Sequence, residues 1–86
     1  SGVNPRHPHV GRVAAGYNAT SSGNENEWLD FLGHGTAVAG AISDHAPEAE
    51  LVVVKIFDRA LRADLATIER GLAWALAQDV DFINLS

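Results

Sequence analysis

The sequence predicts an α/β fold built on a parallel sheet. Two observations carry this. Leu51-Val52-Val53-Val54-Lys55-Ile56-Phe57 is a nearly continuous β-branched run, the pattern of a strand covered on both faces. After it come a helical stretch, Asp64–Gln78, and a second short apolar run, Val80–Leu85. Strand, helix and strand with tight connections make a βαβ unit, whose strands are parallel.

Taken in order, residues 1–9, with Pro5 and Pro8, read as turn and loop. Val10–Tyr17 holds a short strand. Residues 18–27, rich in Asn, Ser and Gly, read as an exposed loop. Trp28–Leu32 is apolar but interrupted by Asp30. Gly33–Ser43 is a helix of small residues, in which Gly40 calls for a packing reason, most naturally a close approach to the sheet. In the helix from Asp64, that aspartate is placed to cap, and Leu65, Ile68, Leu72, Ala75 and Leu76 share one stripe. Trp74 lies nearly opposite that stripe and is expected to meet a second layer or to stay partly exposed.

A parallel sheet needs cover on both faces and neighbours at both edges. One or two helices and two or three strands do not supply that. The 86 residues therefore read as a slice of a larger α/β domain, cut inside its sheet.

Composition narrows the function classes. A net charge of −5 with scattered Lys and Arg leaves no footprint for nucleic acid or an anionic membrane. With no cysteine there is no disulfide framework to reveal the redox compartment. The longest apolar runs fall well short of the roughly 20 residues of a membrane span. Ser1-Gly2-Val3-Asn4-Pro5 lacks the basic start and apolar core of a signal peptide, which does not make the parent protein cytoplasmic.

The informative stretch is His34-Gly35-Thr36-Ala37-Val38-Ala39-Gly40. A histidine opens a helix of small residues, and the positive end of a helix disfavours imidazolium. A histidine so placed is available as a base. Taken alone, such a histidine more often merely begins a helix.

It does not stand alone. His-Gly-Thr-x-Val-Ala-Gly resembles the histidine motif of the subtilisin-like serine protease family, and the resemblance runs along nearly the whole chain. Ser1-Gly2-Val3 is similar to the residues just after the family's catalytic aspartate. Ala46-Pro47 before the Val-rich strand, and Gly71-Leu72-Ala73-Trp74-Ala75 before Ile83-Asn84-Leu85-Ser86, match the family in order and spacing. The resemblance implies that residues 1–86 are a partial peptidase domain, the N-terminal half, truncated at both ends, of a three-layer parallel-sheet fold.

The resemblance also implies a function, serine-type endopeptidase action on protein or peptide substrates, and points to an extracellular location that the residues themselves leave open. His34 would be the general base, with the aspartate immediately before Ser1 and the serine and side-chain oxyanion donor beyond Ser86. Asp30, four residues before His34, reads as a loop or capping carboxylate, because the family's aspartate comes from a different strand. Leu61, Arg62 and Ala63, with Leu65 near a side-chain pocket, would form one wall of a substrate groove, and Ser86 would begin the other. The family usually has glycines in the first wall, from which Leu61-Arg62 departs. No cofactor is implied. A structural calcium site is not expected, since His9 stands where members with one such site often carry an aspartate, and Ala41–Leu51 lacks the longer loop. Nothing in the spacing of His7, His9, His34 and His45 favours zinc.

Two rival readings stand beside this one. Gly33-His34-Gly35, a Val-rich strand and Asp58 at its end resemble a dinucleotide-binding βαβ unit. That reading needs a clean strand before Gly33, where Asp30 intervenes, and a glycine or alanine at Val38. The other rival is a relative of the same fold that lost its triad and serves as a binding or structural module.

Overall fold

The computed structural model describes residues 1–86. It contains two strands and two helices, β1 (Val13–Asn18), α1 (His34–His45), β2 (Leu51–Lys55) and α2 (Leu65–Leu76). The strands pair in parallel, with Val13 opposite Leu51, Gly16 opposite Val53 and Asn18 opposite Lys55. An irregularity between Val13 and Ala15 lets exposed Ala14 bulge out of register.

The helices take opposite faces of this pair. Val53 packs with Ala39 of α1 and with Val3, and Trp28 and Val10 close round that cluster. Its neighbour Val54 points the other way, as alternation along a strand requires, and with Ile56 flanks Gly71 of α2. A β-carbon on Gly71 would sit 2.9 Å from Ile56 and 3.0 Å from Val54, so α2 lies on the sheet through small residues. Tyr17 stacks on Trp74 of α2, centroids 5.1 Å apart and planes 10° apart, which gives that half-buried tryptophan its second layer. Arg70 donates to the Ala19 carbonyl and the Thr67 hydroxyl, tying α2 to the end of β1. The result is a three-layer α/β/α slice.

Four expectations from the sequence change. The first strand begins at Val13 rather than Val10 and runs on to Asn18. Residues 80–85 form no strand: no backbone hydrogen bond links them to another segment, and Phe82 and Leu85 are exposed. Strand formation needs a neighbour that supplies donors and acceptors, and none lies alongside. The parallel βαβ unit present is instead β1–α1–β2. On α2, Thr67, Gly71 and Ala75 face inward, while Leu65 and Leu76 stand 71% and 72% exposed. The inner face is chosen by how closely the helix can approach, not by the largest apolar side chains. Gly40 meets His9, whose Cβ would lie 3.4 Å from an added β-carbon, and not the sheet.

Candidate active site around His34

His34 is the first residue of α1 and is exposed. The turn that launches it is held from two sides. Gly33, the N-cap, has φ 97°, a left-handed conformation that favours glycine, and it offers no side-chain cap of its own.

Asp30 supplies the cap. One carboxylate oxygen accepts from the amides of Leu32 and Gly33, each at 2.9 Å. The other accepts from the Thr36 amide at 3.0 Å and from its hydroxyl at 2.5 Å. Partial burial by itself raises the Asp30 pKa, but the Thr36 hydroxyl and the three amides outweigh it and hold the carboxyl well below its ordinary range. Asp30 is thus a capping carboxylate, as its place in the chain implied.

The second side is the N-terminal segment. The Ser1 hydroxyl accepts from the Gly35 amide at 2.8 Å. A β-carbon on Gly35 would fall 1.9 Å from the Gly2 carbonyl oxygen, so only glycine allows this approach. Gly2 itself has φ 84° and abuts the Trp28 carbonyl, to which Val3 also donates at 3.2 Å. The Asn4 amide then donates to the Thr36 hydroxyl at 2.9 Å. Residues 1–4, the turn at 30–33 and the first turn of α1 are therefore one hydrogen-bonded unit, with the residue after His34 lying on Ser1 and Gly2.

Phe31 of that turn meets Lys55 and Arg59, which precede the segment expected to form a groove wall. The Lys55 ammonium donates to the Leu29 carbonyl at 2.8 Å and stands 5.0 Å from the centre of the Phe31 ring. The Arg59 guanidinium lies 5.7 Å from the same ring. Beyond it, Asp58 folds the chain back, its carboxylate accepting from the Ala60 and Arg62 amides. Leu61 takes φ 56°, where glycine would rest without strain. Leu61, Arg62 and Leu65 are exposed and Ala63 is half-buried. Ser86 is exposed, its hydroxyl accepting from the Asn84 side chain at 2.6 Å.

A cleft of about 710 Å³ lies beside this frame, between the His7–His9 loop, the turn at 30–33 and the flank of α1, and His34 does not line it. The His7 and His9 rings stand 5.5 Å apart, and the His9 amide donates to His7 Nδ1 at 3.2 Å. No three His, Asp or Glu side chains converge as a metal set. The dinucleotide reading fails on backbone grounds, because residues 28–32, which it needs as a strand, form an irregular turn.

A model of the Subtilase family matches residues 1–86. The chain belongs to the subtilase family. It is 37% identical over 89 residues to a thermostable alkaline protease of Halalkalibacterium halodurans, which covers 93% of the chain and 24% of that protein. It is 36% identical to the minor extracellular protease Epr of Bacillus subtilis and 33% identical to subtilisin E of the same organism, in each case over the whole chain. The subtilase chain spans 14% of the first of these and 24% of the second, about a quarter or less of each relative.

Reading the sequence alone missed Ser1, Asn4 and Thr36 as parts of the site's frame. Thr36 was visible only as a motif letter. Its partners lie six residues away at Asp30 and 32 residues away at Asn4, separations that no local pattern encodes.

Proposed function

We propose that this chain supplies the general base and part of the substrate groove of a serine-type endopeptidase. The observation that carries the reading is the seat of His34: the first residue of a helix, in a His-Gly-Thr-x-Val-Ala-Gly motif, exposed, with the residue after it packed against Ser1. A chain running into Ser1 arrives beside His34, which supports an aspartate immediately before Ser1 as the group that orients the imidazole.

In this mechanism the serine, from beyond Ser86, attacks the scissile carbonyl while His34 takes its proton. His34 then delivers that proton to the leaving amine, and water repeats the sequence on the acyl-enzyme. The aspartate stabilises the imidazolium formed on the way. Leu61, Arg62 and Ala63, with Leu65, form one wall for an extended peptide, and the chain from Ser86 forms the other. Substrates are proteins or peptides, no cofactor takes part, and the parent acts outside the cell. Residues 1–86 are then the N-terminal part of the peptidase domain.

The test is made on the full-length protein. It should cleave casein, and a serine-directed sulfonyl fluoride should abolish cleavage. A folded full-length protein that neither cleaves casein nor reacts with a fluorophosphonate probe would overturn the reading.

A further inference from the structure

We propose that Asp30 is a positioning residue for His34, locking the helix start that carries it to the segment that begins at Ser1. The inference rests on the reading of His34 as the general base, and it assigns a role to a carboxylate that does not itself touch the reacting atoms.

The first amides of a helix have no partner within it, and a turn without a fixed cap frays. Gly33 cannot cap, having no side chain. Asp30 reaches over it from three residues upstream and spends all four contacts on this one turn: the amides of Leu32, Gly33 and Thr36, and the Thr36 hydroxyl. The first two fix the backbone just before His34, and the third fixes the amide two residues after it. His34 is thus bracketed along the chain by groups bound to one carboxylate.

The Thr36 hydroxyl extends the lock. It donates to Asp30 and accepts from the Asn4 amide at 2.9 Å, so Asp30 is coupled through one oxygen to residues 1–4. Ser1 closes the loop by accepting from Gly35. The relative position of His34 and the residue entering Ser1 is therefore set by Asp30, Thr36, Asn4 and Ser1 together. Charge-assisted bonds of the kind Asp30 makes are stronger than neutral ones, which is why a carboxylate suits the place. Proton transfer is steep in geometry, and a misplacement near 1 Å costs on the order of 10²-fold in rate.

The test is a double-mutant cycle in the full-length protein, with turnover measured well below each variant's melting temperature. Asp30→Ala should lower kcat by about 10- to 100-fold and leave KM nearly unchanged, because the groove is built from other segments. Asp30→Asn, which keeps an acceptor oxygen but not the charge, should fall between. Thr36→Val should mimic Asp30→Ala in kind, and Thr36→Ser should restore most of what Thr36→Val loses. In a His34→Ala background, Asp30→Ala should have almost no further effect on residual turnover, since groups that act as a unit are not additive.

Parental kcat in folded Asp30→Ala would overturn the proposal, as would an equal loss with His34 present or absent. If Asp30→Ala does not fold, Asp30→Asn and Thr36→Val decide on the same criteria. If His34→Ala retains parental turnover, the underlying reading fails. If His34→Ala is inactive but the Asp30 and Thr36 variants turn over normally, only this inference fails.

Discussion

Replacing Gly35 by alanine sets two effects of opposite sign against each other. In a helix, alanine is favoured over glycine by about 1 kcal/mol, so helix propensity alone predicts stabilisation. The packing predicts the reverse. The new β-carbon would lie 1.9 Å from the Gly2 carbonyl oxygen, and contacts under 3.0 Å do not survive without movement. The obstacle is backbone and cannot rotate away, so residues 1–4 must shift by roughly 1 Å, and overpacking of this kind costs about 1–3 kcal/mol. The shift also strains the bonds from Gly35 to Ser1 and from Asn4 to Thr36, each worth about 1 kcal/mol. The expected net is a loss of about 1–3 kcal/mol, or about 2–4 °C in melting temperature per kcal/mol in a domain of 150–250 residues. Turnover should fall more than stability, because the displaced segment leads to the position proposed for the aspartate that orients His34. Gly33→Ala is the control: it meets nothing within 4 Å but keeps φ 97°, so it should destabilise by about 1–2 kcal/mol through backbone strain alone. Thermal unfolding and casein turnover of the full-length variants measure both. A Gly35→Ala protein more stable than its parent, with full activity, would refute the packing argument.

Further predictions concern stability, the loop at Leu61 and the isolated chain. Because the Asp30 carboxyl is held below its ordinary value in the folded protein, its contribution is fully present above the unfolded value near 4 and is lost as pH falls toward the depressed one. The melting temperature measured from pH 6 down to pH 3 should therefore fall less steeply in Asp30→Asn than in the parent. Asp64 accepts from the Thr67 amide at 2.8 Å as the cap of α2, so Asp64→Ala should melt earlier and Asp64→Asn should recover most of the difference. Leu61→Gly trades left-handed strain of about 1–2 kcal/mol against a glycine entropy penalty of roughly 0.5–1 kcal/mol. It should be neutral or mildly stabilising by denaturant titration, and a loss above about 1 kcal/mol would contradict the strain. The 86-residue chain on its own should show no inhibitor-sensitive casein cleavage. With Leu65, Leu76, Phe82 and Leu85 exposed, it should also associate rather than sediment as a monomer.

The parts legible in the sequence were those set by local chemistry. The run from Leu51 names its own strand, and Asp64 with an apolar period after it names a capped helix. The turn before His34 was half legible: an aspartate ahead of a helix start reads as a cap, but its partner Thr36 did not declare itself. What failed depended on distant partners. Val80–Leu85 has strand composition and no neighbour to pair with. Of the stripe expected on α2 only Ala75 is buried; Thr67 and Gly71 complete the inner face, because helix–sheet distance rewards small residues over larger apolar ones. The contact of Ser1 with Gly35 spans 34 positions and appears only once β1, α1 and β2 have folded the chain back on itself.

The central claim, that His34 is a general base, is tested most directly by an alanine scan of the four histidines in the full-length protein, with turnover and melting temperature measured together. His34→Ala should lose several orders of magnitude in turnover with little change in KM or melting temperature, since the side chain is exposed and no hydrogen bond holds it. His7→Ala, His9→Ala and His45→Ala, all at exposed positions, should stay within a factor of a few. Near-parental turnover in His34→Ala would contradict the account, and unfolding of that variant alone would return the residue to a purely structural role.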